Sequence, residues 1–335
     1  MPTPYLANIM NMNHKMLTLY AKALTHKPFV SMQQDASGSA VLMPDIACER
    51  KISIHPQHCD AYNALTKWQP ALATFVHPNY VQTLSLPLQL EMMVNKYFPF
   101  SPMGMVHVAN QISVNRLPSQ SEQLHLRTYF GNIYFHKKGW LFEVITTANS
   151  ESVLSSARAE VKATSFYLAR VKHTDTNRAS QIEDKQAPNW IVKASENTNV
   201  CIDAGSDIIT NDALSDSAST IENLNFAPNI GRKYAKISGD YNPIHLHAIC
   251  AKFFGFKKAI AHGMFSKALM VSLLANTYRF CQGEFEIDTV FKQAIALPGQ
   301  AILKSQLSEP NTVDFALRPK LVGKEKCFLQ GTIRY

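Results

Sequence analysis

The sequence predicts an α+β fold built twice on one plan, each copy a long apolar helix followed by antiparallel strands. Three observations carry this. Two stretches are too apolar for surface helices, runs of alternating apolar and polar residues follow each of them, and a polar segment lies between the two sets. A chain of 335 residues with 46% hydrophobic and 10% aromatic content has enough apolar surface for two such cores.

Taken in order, residues 1–60 read as an N-terminal extension, in which MLTLYAKAL has the spacing of an amphipathic helix and the remainder has no assigned role. The first repeat is expected over 61–170. Its helix is PLQLEMMVNKYF, where Leu88, Leu90, Met92, Met93 and Tyr97 form a largely apolar surface, and LHLRTYF, WLFEVITTA and SVLSSARAEVKATSF alternate as strands. Residues 171–228, with SENTNV, GSDIITND and SDSAST, sustain neither period and read as a polar linker. The second repeat, 229–335, has the helix GMFSKALMVSLLANTYRF. Strands follow in FEIDTVFKQAIALPGQAILKSQL and VDFALRPKLVGKEKCFLQGTIRY, the latter turning at Gly323 and Lys324. VANQISVNRLPSQSEQLHL and VFKQAIALPGQAILKSQL both pass from strand through a proline turn to strand, which supports a duplication. One helix wrapped by an antiparallel sheet is the hotdog unit. The chain is thus expected to be a double hotdog whose sheets join edge to edge.

Composition narrows the function. Six cysteines are scattered without a CxxC pair, which fits free thiols in a reducing, cytoplasmic setting and gives no support to a zinc site. No uncharged apolar run approaches the roughly 20 residues of a membrane span. AIAHGMFSKALMVSLLAN carries His262 and Lys267 and reads as a buried helix. The net charge of +8 favours an anionic partner, but the cations are dispersed and no recognition helix or aromatic RNA-binding motif accompanies them, so nucleic acid is not expected. No GxGxxG loop suggests a dinucleotide, and neither a cofactor nor a metal is expected.

The informative stretch runs YAKISGDYNPIH from Tyr234 to His245, then AKFFGF, then AIAHGM ending at Met264. Here the sequence resembles the MaoC-like dehydratases, the R-specific enoyl-CoA hydratases, whose signature reads approximately YAxxSGDxNPIH, a short helix ending in GF, and IAHGM. The later FKQAIALPGQ also looks like that family's strand and turn, so the resemblance covers about Gly231 to Gln300. It implies reversible, R-specific hydration of a trans-2-enoyl thioester with Asp240 and His245 as catalytic residues. The first half has no Asp-x-Asn-Pro-x-His of its own, and the resemblance implies that it has become a pocket for the acyl tail.

The residues support that chemistry independently. Hydration needs a base for the attacking water, a proton for Cα and a donor for the enolate-like thioester oxygen. Asp240 and His245 stand five residues apart on a loop stiffened by Pro243, so carboxylate and imidazole can address one water. Which of them is the formal base stays open at this level. Gly263 opens the long helix, where backbone N–H groups lack an intrahelical acceptor, and it is assigned to the oxyanion hole. Asn242 and Ser238 are expected to shape the loop, and His262 to support the helix start. Arg232, Lys233, Lys236, Lys252, Lys257 and Lys258 surround this segment and suit a coenzyme A phosphate or the acidic face of an acyl carrier protein. A homodimer is allowed but not required, because one chain supplies both repeats. Two other functions share the scaffold: a thioesterase, and a non-catalytic acyl-thioester binding protein.

Overall fold

The computed structural model describes residues 4–28, 32–35, 38–41, 43–69, 74–136, 138–150, 159–170, 188, 190, 191, 214, 218–320 and 327–335. Helix α1 spans Pro4–Thr25, followed by a small hairpin of β1 (Met32–Asp35) and β2 (Gly38–Val41). The first half continues with β3 (Ala47–Ser53), α2 (Pro56–Thr66), α3 (Tyr80–Met93), β4 (Val106–Val114), β5 (Gln123–His136), β6 (Gly139–Ser150) and β7 (Val161–Arg170). The second half comprises β8 (Ser219–Phe226), α4 (Ile230–Ser238), α5 (Pro243–Leu246), α6 (Ala248–Phe253), α7 (Gly263–Tyr278), β9 (Phe285–Phe291), β10 (Gly299–Glu309), β11 (Thr312–Pro319) and β12 (Leu329–Arg334).

Ten strands form one antiparallel sheet in the order β3-β5-β6-β7-β4-β9-β12-β11-β10-β8. The order is its own mirror image: β4 matches β9, β7 matches β12, and so outward to the edge strands β3 and β8. Each half is five strands around one helix, the double hotdog that the sequence predicts, and the halves join where β4 pairs with β9.

Two boundaries move for one reason. In each half the outermost strand precedes the helix in sequence, so β3 falls within the expected extension 1–60 and β8 within the expected linker 171–228. Both are edge strands in which a polar residue also stands in line with the inward positions, Arg50 in β3 and Glu222 in β8, and this obscures the apolar alternation. Most of the linker, and the turn expected at Gly323 and Lys324, lie outside the described residues. Helix α3 begins seven residues before Pro87 and runs through it, although proline withholds a helical N–H. Tyr80, Val81 and Ser85 are buried with Leu88 and Met92, and packing of that full length outweighs the local penalty.

Helix α7 is apolar on every face and is buried from Phe265 to Ala275, as a helix enclosed by a sheet must be. Its one cation, Lys267, is fully buried; Nζ donates to the Asn110 carbonyl at 2.9 Å, to Asn110 Oδ1 at 2.6 Å and to the Ile287 carbonyl at 3.4 Å. Those acceptors lie on β4 and β9, so the ammonium ties the helix to the seam between the halves. Among the described residues no helix is long and apolar enough to cross a membrane, and the five described cysteines are free.

Candidate active site

The signature segment folds as a chain of short helices whose ends are set by particular residues. Helix α4 stops at Gly239, which adopts φ +74°, and the Gly239 N–H bonds to the Ala235 carbonyl at 2.9 Å. A side chain on Gly231 would place its Cβ 2.1 Å from the His245 carbonyl oxygen, so glycine there lets α4 and α5 touch. Asn242 caps α5 by accepting from the Ile244 N–H at 3.4 Å, with Pro243 at the first helical position. Ser238 Oγ accepts from the Asp240 N–H at 3.1 Å. Both therefore shape the loop.

That loop brings Asp240, His245 and His262 together. His245 Nδ1 lies 2.9 Å from the Ile260 carbonyl, which can only accept, so Nδ1 carries the proton and Nε2 presents a lone pair. His262 Nε2 likewise donates to the Asp240 backbone carbonyl at 3.0 Å, and it sits 3.8 Å from Asp240 Oδ2. The two imidazoles stack with centroids 3.7 Å apart. Burial lowers the pKa of both, with His262 adding to the effect on His245, which falls to about 3. Both rings are therefore neutral near pH 7. Burial pushes Asp240 upward, but attraction to either neighbouring imidazole in its protonated form, the Tyr20 hydroxyl and the Asn242 N–H outweigh it and hold the carboxyl below its ordinary value. The Asp240 side chain keeps 28% of its surface, so an anionic acceptor remains open to a ligand. Gly263 opens α7 beside this group, and a Cβ there would meet the Phe291 ring at 3.1 Å.

Residues 213–302 match the family model of the MaoC-like domain. The chain carries a MaoC-like domain. It is 26% identical over 251 residues to 3-hydroxyacyl-thioester dehydratase X of Mycobacterium tuberculosis, across 75% of this chain and 76% of that protein. The fold is similar to the crystal structure of HtdX from the same organism, with a TM-score of 0.64 and 22% identity over 86% of this chain and 99% of that one. A further M. tuberculosis structure described as a double hotdog aligns with a TM-score of 0.51 and 8% identity, covering 88% of this chain and 96% of the other.

Within the MaoC-like domain, a carboxylate oxygen of Asp240 and a ring nitrogen from each of His245 and His262 lie within 4.8 Å of one another, a spacing a metal ion could use. The ring geometry opposes it. Lone pairs lie in the ring planes, and two rings stacked with only 26° between their planes aim theirs side by side instead of at one point. The same spacing suits one water hydrogen-bonded to two acceptors, each about 2.8 Å away.

Three residues outside the MaoC-like domain also reach this site. Tyr20 of α1 donates from Oη to Asp240 Oδ1 at 2.7 Å. Helix α1 is seated by Met16 and Leu19, which pack with Leu90 of α3, and by the Lys15–Glu91 ion pair; Met16 also lies against Gly239. The extension that carried no functional expectation thus supplies the tyrosine on the carboxylate. From the first half, His107 and Tyr167 both feel the Asp240 charge. Nothing in the local sequence marks these three: Tyr20 sits in an ordinary amphipathic helix, and the other two lie in strands more than seventy residues from Asp240.

Proposed function

We propose that this protein hydrates trans-2-enoyl thioesters reversibly, giving the R-3-hydroxyacyl thioester, and dehydrates the latter in reverse. The supporting observation is a neutral His245 with a bare Nε2 beside an ionised, accessible Asp240 at the mouth of an apolar helix. One water gives a hydrogen bond to each acceptor and turns its lone pair toward Cβ. As the C–O bond forms, an O–H bond breaks and the π pair moves to Cα, placing charge on the thioester oxygen. His245 takes the proton, and the Asp240 carboxylate stabilises the imidazolium that forms. The Gly263 N–H, at the positive end of α7, stabilises the enolate-like oxygen. The proton then passes to Cα on the face from which the oxygen came, so addition is syn.

The carrier in this reading is coenzyme A. Residues 230–260 hold Arg232, Lys233, Lys236, Lys252, Lys257 and Lys258, all exposed, against one acid, Asp240. That concentration of positive charge, in the segment that carries Asp240 and His245, suits a phosphate-bearing carrier. The acyl tail is assigned to the first half, where Met93, Phe98, Phe100, Phe142 and Val144 form an apolar cluster and Tyr167, which feels Asp240, packs against it.

The test is to supply crotonyl-CoA and longer trans-2-enoyl-CoAs, follow loss of the conjugated chromophore and determine the configuration at C3. Expected is a single R product with the thioester intact. An S product would overturn the stereochemical reading, and release of free thiol would indicate a thioesterase. Inertness toward coenzyme A esters with turnover of carrier-protein esters would change the carrier, and inertness toward both would favour a binding protein.

A further inference from the structure

Strand β4 contains an extra residue beside the site. Its register against β7 runs His107 to Tyr167 and then Ala109 to Phe166, so Val108 is unopposed and forms a bulge. The consequence is a change of face. Ile112 and Val114 belong to the core around α7, and Asn110 bonds Lys267, so even-numbered positions point inward from Asn110 onward. Strict alternation would send Val108 inward and His107 to the opposite face. The bulge reverses this. Val108 packs with Ala109 and Phe166 in the cluster on the other side, while His107 stacks on Tyr167 at 4.6 Å and contacts Phe291 at 5.1 Å. Phe291 is the ring against Gly263.

His107 therefore faces the group formed by Asp240 and the start of α7, and its ring is half committed. The Ala109 backbone favours the protonated form of the ring, as a carbonyl facing Nδ1 does, and with Nδ1 as the donor the lone pair falls on Nε2. That nitrogen is buried with no partner among the described residues. The Tyr167 hydroxyl does not supply one, because it donates to Gln89 Oε1 at 3.2 Å. A buried acceptor without a donor is costly and is uncommon in native proteins, so its partner is to be sought in a ligand.

We infer that His107, contributed by the first half, is a substrate-binding residue whose Nε2 accepts a hydrogen bond from the C3 hydroxyl of the 3-hydroxyacyl thioester. The choice of that hydroxyl follows from place: Asp240 and His245 handle the oxygen that becomes it, and His107 lies within the field of the same carboxylate and against Phe291, the ring beside Gly263. This inference rests on the proposed function. It adds that the first half reads the hydroxyl as well as housing the chain, since a site built to bond a hydroxyl discriminates against the analogue lacking it.

The test uses two ligands that cannot react because they have no α-proton. These are 2,2-dimethyl-3-hydroxybutyryl-CoA and 2,2-dimethylbutyryl-CoA, which differ only in the hydroxyl. Wild-type protein should bind the hydroxylated ligand roughly tenfold more tightly, a difference of about 1.4 kcal/mol. His107→Phe, which keeps the ring stack, should lose that preference while its affinity for 2,2-dimethylbutyryl-CoA stays within about twofold. His107→Gln, which restores an acceptor, should recover part of it. A preference that persists in His107→Phe, a wild type with none, or a parallel loss of both affinities in a folded variant each overturns the role. Failure of the wild type to hydrate any enoyl thioester would remove the thioester reading itself, and this inference with it. Normal hydration with an unchanged hydroxyl preference in His107→Phe removes only the role of His107.

Discussion

Tyr20→Phe isolates the link between the N-terminal helix and Asp240. The substitution deletes one oxygen and leaves the ring, and the packing of Met16 and Leu19 that seats α1 is untouched. The bond lost is 2.7 Å long and ends on a carboxylate. Hydrogen bonds to charged groups are worth about 1.5–3 kcal/mol, and the 28% exposure of the Asp240 side chain places this one at the lower end. About 1.4 kcal/mol corresponds to roughly one pH unit on a titration. The hydroxyl stays protonated throughout, because burial and the neighbouring carboxylate raise its pKa well above the usual tyrosine range. The acidic limb of kcat/KM for crotonyl-CoA hydration should therefore move up by about one pH unit, with a loss of only a few-fold on the alkaline plateau. The assay is a pH–rate profile of the two proteins side by side. A structural role alone would lower the plateau and leave the limb in place. An unmoved limb in a folded Tyr20→Phe protein would refute the reasoning.

Asp240→Asn and His245→Gln should each lower hydration by at least about 10²-fold with the fold retained; near-normal turnover in either would exclude that residue from the proton path. Gly263→Pro is placed at the first turn of α7, where proline is tolerated, and it removes the proposed oxyanion donor at a cost of about 3 kcal/mol in turnover. Its added ring carbons also meet Phe291, so circular dichroism and retained ligand binding must accompany the kinetics, and unchanged turnover would reject the oxyanion role. Acid should destabilise the protein. Burial holds His77, His107 and His245 at about 3, Lys267 adding to the effect on His107 and His262 to that on His245, so between that value and about 6.5 the unfolded chain binds more protons than the native one. Asp240 acts in the same sense, its depressed carboxyl contributing stability that is lost as pH falls through its folded value. Thermal unfolding midpoints should fall on acidification from pH about 7 toward 5, and a flat or rising trend would contradict the assignment of neutral buried imidazoles.

How far the sequence reads depends on how local the determinants are. The loop from Ser238 to His245 is legible because its geometry is made within itself: Gly239 ends one helix, Asn242 caps the next, Pro243 stiffens it, and carboxylate and imidazole follow from that spacing. Helix α7 and the internal repeat are legible too, since a helix enclosed by a sheet has no polar face to hide its pattern. The strands β3 and β8 are not, because Arg50 and Glu222 interrupt their apolar alternation, and α3 runs through Pro87 because burial overrides a local preference.

The tertiary structure alone decides what the distant chain adds. Tyr20 reads as one more residue of an amphipathic helix until α1 docks on α3 and lays its hydroxyl against Asp240, 220 residues away. His107 stands out of phase with the inward positions of its own strand, and only the unopposed Val108, visible once β4 is paired with β7, turns it toward the site. His262 looks like a helix-start residue, and the stack that places it on His245 needs the loop and α7 together. Sequence pattern reports which face of an element is apolar and where a turn must fall. Which faces meet, and which side chains a bulge turns inward, is set by pairing between residues far apart in the chain, and no local periodicity encodes it.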